Sequence, residues 1–139
     1  MRAVLDPNVI ISGALSPAGV PSEVLRALAR GDFELIASQA LLDELQRALA
    51  YPKLRAHIRE ADAAELVRWV ADTATLVPTP LDEAPVHSVD LNDDYLIALA
   101  AAHRSALLSG DKHLLVLADQ IPVFSPRGFL ELLAAGSAR

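Results

Sequence analysis

The chain has no cysteine among its 139 residues, which excludes disulfides and thiolate metal sites alike. Aromatics are scarce, with one Trp, two Tyr and three Phe, so few rings are at hand to stack exposed bases as single-strand binders often do. No apolar run approaches the roughly twenty residues that cross a bilayer. The N-terminus lacks a secretory pattern, because Asp6 and Asn8 interrupt what would be its apolar region. Basic residues are the minority, 12 Lys and Arg against 18 Asp and Glu, for a formal net charge of −6. That balance suits nonspecific duplex binding poorly, since such binding rests on neutralising phosphates. It leaves open a site built from carboxylates, in which divalent ions supply the positive charge. Walker loop, dinucleotide fingerprint, G-x-S-x-G elbow and HExxH are all absent. These absences lead to the expectation of one cytoplasmic domain over residues 1–139, long enough to bury a core.

What is present is an alternation of short apolar runs and amphipathic stretches. Residues 2–5 read as a buried strand stopped by Asp6-Pro7. Ser22 to Arg30 reads as a helix ended by Gly31, and Phe33 to Ala37 as a strand. Ser38 is a fitting N-cap for a helix through Leu49, which Tyr51-Pro52 terminates. A helix over 60–72, a strand over Thr73–Val77 and a Pro-rich loop to about Asp90 come next. Then follow a helix over Asn92–His103, a strand over Ser105–Leu108, a short helix over Lys112–Leu117 and a strand over Ile121–Phe124. Ser125-Pro126 opens the last helix, with Ser as cap and Pro at its first position. Strands alternating with helices predict a three-layer α/β/α domain with a parallel sheet of about five strands.

In such sheets functional groups gather at the carboxyl ends of strands. Asp6 follows the first strand directly, and Asp111 follows Ser105–Leu108 after Ser109-Gly110. Either alone could be an ordinary turn aspartate. On the helix after Ser38, Leu41, Leu42, Leu45, Ala48 and Leu49 form one apolar arc. Glu44 falls at its margin and Asp43 points away from it. A carboxylate at a buried margin is costly unless it is paired or binds a cation, although Glu44 could simply pair with Arg47. Asp90, Asp93 and Asp94 crowd a helix start where a single acid suffices as a cap. Jointly these acids form the kind of hard oxygen set that Mg²⁺ or Mn²⁺ prefers. Divalent ions so held can activate water for phosphodiester cleavage.

The same residues resemble the PIN-domain family, in particular its branch of toxin components from toxin–antitoxin pairs. Val4-Leu5-Asp6-Pro7-Asn8-Val9 is similar to the family's V-L-D-T-N-V opening, with Pro7 in place of Thr. Ser38 to Leu45 is similar to the segment carrying its helical Glu. Asp93-Asp94-Tyr95-Leu96-Ile97-Ala98 is similar to its D-x-x-I-A stretch, which puts the third acid at Asp94. Leu108 to Leu115 is similar to its T-G-D-x-x-L-L block, and Pro126-Arg127-Gly128-Phe129-Leu130 to its P-R-x-F-L ending.

The resemblance implies a sheet in order 3-2-1-4-5 and an endoribonuclease that cuts single-stranded RNA with water activated by Mg²⁺ or Mn²⁺. It implies Asp6, Glu44, Asp94 and Asp111 as catalytic and metal-holding acids. Asn8 and Ser109 would orient these acids by hydrogen bonding, with Asp93 adding an outer contact. A small antitoxin is the implied partner, and a homodimer stays open. Arg47, Lys53, Arg55 and Arg59 form the densest basic stretch, which fits a solvated helix face as well as an RNA contact. Lys112 sits beside Asp111. Two other readings remain: a catalytically silent PIN-like module that binds RNA or a protein, and a metal-dependent phosphatase or phosphotransfer receiver. A receiver wants an acidic pair before the first strand's Asp, and Met1–Leu5 holds no acid.

Overall fold

A computed structural model describes residues 1–137. The sheet has five parallel strands in the order β3-β2-β1-β4-β5. They are β1 (Arg2–Leu5), β2 (Glu34–Ala37), β3 (Thr75–Leu76), β4 (Ala106–Leu108) and β5 (Val123–Phe124). Register pairs Ala3 with Leu35 on one side and Val4 with Leu107 on the other. The central strand is almost wholly apolar, and Ala3, Val4 and Leu5 are fully buried. That is what a parallel strand covered on both faces requires.

Among the described residues eight α-helices clothe the sheet: α1 (Pro7–Leu15), α2 (Val20–Arg30), α3 (Gln39–Leu49), α4 (Pro52–Arg55), α5 (Glu60–Thr73), α6 (Asp94–Ala102), α7 (Lys112–Leu115) and α8 (Pro126–Ser137). Right-handed crossovers from β1 through β3 put α1 to α5 on one face, and reversal at β4 puts α6 and α7 on the other. The reversal lies between β1 and β4, so the carboxyl ends of these two strands flank the switch point. Among the described residues no helix is long and apolar enough to cross a membrane.

The chain differs from the sequence reading chiefly after β1. β1 stops before Asp6-Pro7 as expected, but α1, absent from that reading, follows at once, with Asp6 as its cap and Pro7 at the first helical position that suits proline. Gly13 on α1 lets α2 approach, since a Cβ there would stand 2.6 Å from the Leu25 side chain. Residues 52–55 add the one-turn α4, and Leu91–Asp93 form a 3₁₀ turn ahead of α6. Gly31 caps α2 in the left-handed region (φ 80°), as expected of a C-cap glycine.

The P-R-x-F-L ending serves packing. Ser125 Oγ accepts from Gly128 N at 3.0 Å to open α8. Phe129 is fully buried, its ring edge-on to Phe33 at a centroid distance of 5.0 Å. Phe129→Ala should therefore cost about 3–5 kcal/mol, read as a lower urea midpoint with an unchanged m-value.

Candidate active site

Asp6 ends β1 at the switch point and is buried with 5% of its surface exposed. Its backbone N–H donates to Leu108 O (2.9 Å), which fastens it to the end of β4. Its side chain caps α1 by accepting from Asn8 N (3.0 Å), while Ser109 Oγ donates to its other oxygen (2.8 Å). The contact expected of Asn8 thus comes from its main chain, and any non-proline residue could supply it. Ser109 is fully buried, and its Oγ also accepts from Asp111 N (3.0 Å). Asp111 in turn accepts from His113 N (2.8 Å), capping α7. One hydroxyl thereby bridges two acidic positions from opposite ends of the chain.

Burial raises the Asp6 carboxyl above its usual range. The Asn8 N–H and Ser109 hydroxyl pull it back, and the charges of Asp111 and Glu44 push it up again. Asp93 is pushed up to about 6, first by burial, then by the charges of Asp6, Asp90 and Asp111, and by hydrogen bonding to Asp111. The neighbouring carboxylates thus disfavour ionisation of Asp6 and of Asp93.

Asp94, expected among the catalytic acids, is bonded to the Pro-rich loop. One of its oxygens accepts from Ser88 N (2.9 Å) and the other lies 2.6 Å from His87 Nδ1. It clamps the Pro-rich loop to the start of α6. Its neighbour Asp93, expected only at the periphery, stands among the acids instead. Adjacent residues at a helix start point about 100° apart, so the two side chains cannot share one direction.

Glu44 is half-buried on α3 and Asp43 exposed, in keeping with the apolar arc of that helix. The Glu44 charge acts on both Asp6 and Tyr95. Its carboxylate is also paired with Arg47, one helical turn on. Asp43 accepts from Gln39 Nε2 (2.9 Å) at the rim.

A groove of about 620 Å³ opens over these groups, with Asp6, Glu44, Arg47, Tyr51, Asp93 and Tyr95 in its wall. Both tyrosines of the chain line it, a concentration that the low aromatic count concealed. The Tyr95 hydroxyl is buried with no hydrogen-bond partner. Burial, then the charges of Glu44, Asp6 and Asp93, raise it above the ordinary phenol range, and Arg47 partly offsets them. Of the basic residues considered, Arg47 alone borders the groove. Lys53 and Lys112 are exposed on α4 and α7, and Arg59 pairs with Asp62 (3.0 Å).

Chemically, Asp6, Asp93, Asp111 and Glu44 offer only carboxylate oxygens, a hard donor set that suits Mg²⁺ or Mn²⁺. Among the described residues, no three acid or histidine side chains converge closely enough to cage an ion as they stand. Tyr95, His87 and Ser88 carried no signal in the sequence, because their roles depend on which acid of the 93–94 pair turns inward.

Comparison with known proteins agrees with this architecture. Crystal structures of VapBC2 from Rickettsia felis bound to a DNA fragment from their promoter, and of PAE2754 from Pyrobaculum aerophilum, superpose on the chain with TM-scores of 0.62 and 0.67. Identities are 14% and 17%; the matches cover 90% and 97% of this chain, and 98% and 90% of theirs. The uncharacterized protein MJ1680 of Methanocaldococcus jannaschii is 23% identical over 141 residues, covering 94% of this chain and 90% of its own. The sequence profile of the PIN domain matches residues 2–113, a span holding every acid of the cluster, and the chain belongs to the PIN-domain family.

Proposed function

We propose that this protein is a divalent-metal-dependent endoribonuclease acting on single-stranded RNA. The observation that carries the reading is the bridge at the switch point, where Ser109 Oγ donates to buried Asp6 and accepts from Asp111 N, with Asp93 in the groove wall beside Asp6. Carboxylates crowded in this way are unfavourable unless a cation enters among them. Asp6, Asp93 and Asp111, with Glu44 beside them, are the residues that would hold Mg²⁺ or Mn²⁺. Such an ion supplies the Lewis acidity that lowers the pKa of water and offsets charge at a phosphodiester. Ser109 keeps Asp6 oriented, and Arg47 is the cation placed to meet a phosphate at the groove. Asp94 acts as a loop clamp, outside the set.

The toxin of a toxin–antitoxin pair is the biological role we favour, with a small antitoxin as partner. Membership of the PIN-domain family and the likeness to VapBC2 support it. A catalytically silent binding module is the second reading, favoured by the pairing of Glu44 with Arg47 and by the lack of a ready-made ion cage among the described residues.

Labelled single- and double-stranded RNA and DNA, incubated with Mn²⁺ or with EDTA, separate these readings. Cutting of single-stranded RNA, abolished by EDTA and by Asp6→Asn, is expected. Asp93→Asn should lose more than roughly a hundredfold in rate, while Asp94→Asn, which acts through the loop, should lose roughly tenfold or less. The reverse ranking would return the third position to Asp94, and no cutting by wild type would favour the silent module.

The raised Asp93 carboxyl also makes stability depend on pH. Its folded value of about 6 exceeds the ordinary 3.8, so the folded chain holds the extra proton between the two. That contribution is fully present below 3.8 and is lost as pH rises through about 6. Asp93→Asn mimics the protonated acid. In EDTA its melting temperature should exceed that of wild type at pH 7.5, and the gap should shrink at pH 4.5. A gap independent of pH would mean that the acids do not crowd Asp93.

A further inference from the structure

We infer that Tyr95 is a positioning residue for Glu44 and that it competes with Arg47 for the Glu44 carboxylate, an inference that rests on the carboxylate metal site proposed above. Two observations around Glu44 lead to it. Arg47 holds the carboxylate at the spacing of one helical turn. The Tyr95 hydroxyl is buried without an acceptor in the wall of the same groove as Glu44 and Arg47.

A buried donor left unpaired is unfavourable, and folded proteins rarely keep one without a use. The phenol carries one O–H donor, and among the described residues no acceptor meets it. Glu44 is the one acid of the group tied to a cation on the groove's rim, whereas Asp6 is held by Asn8 N–H and Ser109. When Glu44 leaves Arg47, the unpaired Tyr95 hydroxyl in the same groove wall is the donor free to receive it. The hydroxyl then donates to one carboxylate oxygen and leaves the other free as a ligand. Arg47 is released into the groove as an unpaired guanidinium beside the exposed Tyr51 ring. The same exchange explains why the acids do not cage an ion as they stand.

The test is Mn²⁺ titration by calorimetry on the wild type, Tyr95→Phe, Arg47→Met and the double variant, with melting curves in EDTA. Tyr95→Phe should bind Mn²⁺ roughly tenfold more weakly, the effect of one hydrogen bond to a charged group. Its EDTA melting temperature should equal or exceed that of wild type, because the hydroxyl has no partner to lose. Arg47→Met should bind more tightly. In the Arg47→Met background, where Glu44 is already free to meet Tyr95, adding Tyr95→Phe should change affinity little. Additive effects of the two substitutions would overturn the competition, since independent groups add. A metal-free melting temperature lowered by several degrees in Tyr95→Phe would show its hydroxyl already bonded, and would overturn it too. Wild type that binds no Mn²⁺ would refute the metal site itself. Binding unaffected by Tyr95→Phe would refute only the positioning role.

Discussion

The hydroxyl of Ser109 is the contact on which the acidic cluster depends. It donates to Asp6 and accepts from the Asp111 backbone, joining groups that lie 103 positions apart in the case of Ser109 and Asp6. Being fully buried, it works without competition from water, where such bonds are strongest. Asp6 is itself buried and has only that hydroxyl and the Asn8 N–H to offset its desolvation. The strand pairing of β1 with β4 and the N–H of Asp6 on Leu108 O set the spacing that makes the bridge possible. Fold and site are coupled through a few atoms at one strand end.

Around that bridge the acids divide by what their side chains meet. Glu44 has Arg47, and Asp94 has His87 with the Ser88 N–H. Asp6, Asp93 and Asp111 are held by hydrogen-bond dipoles and one another's protons rather than by full positive charges. Negative charge is therefore gathered around Asp6 and Asp93, although acidic residues are spread along the whole sequence. A formal charge of −6 gives no hint of that focus.

Much of this was legible from residues. The apolar runs before Asp6 and Asp111 marked both as strand-end acids, and parallel connectivity brought their ends together. The arc of leucines on α3 separated half-buried Glu44 from exposed Asp43. Where reading failed, local conformation had overridden pattern. Asp6-Pro7 fits a stop as well as a helix start, and only the Asp6 side chain on Asn8 N decides for α1. Asp93 and Asp94 fit the same motif, and the periodicity of α6 does not extend into the 3₁₀ turn that separates them. Tyr95 lies next to residues that read as ordinary core, so its unpaired hydroxyl was invisible without its surroundings. The strands β3 and β5 shrink to two residues each, because pairing there depends on neighbours rather than propensity.

The Asp94 clamp has a consequence for how such a protein can diversify. The Pro-rich loop meets the start of α6 through the imidazole of His87 and the main-chain N–H of Ser88. The N–H is independent of side-chain identity. Leu81 and Val89 project almost wholly into solvent on either side of the clamp. The loop's outward face can therefore drift in sequence, even toward new recognition, without moving the helix start from which Asp93 projects. Anchoring and surface chemistry are written in different atoms, and selection can act on them separately.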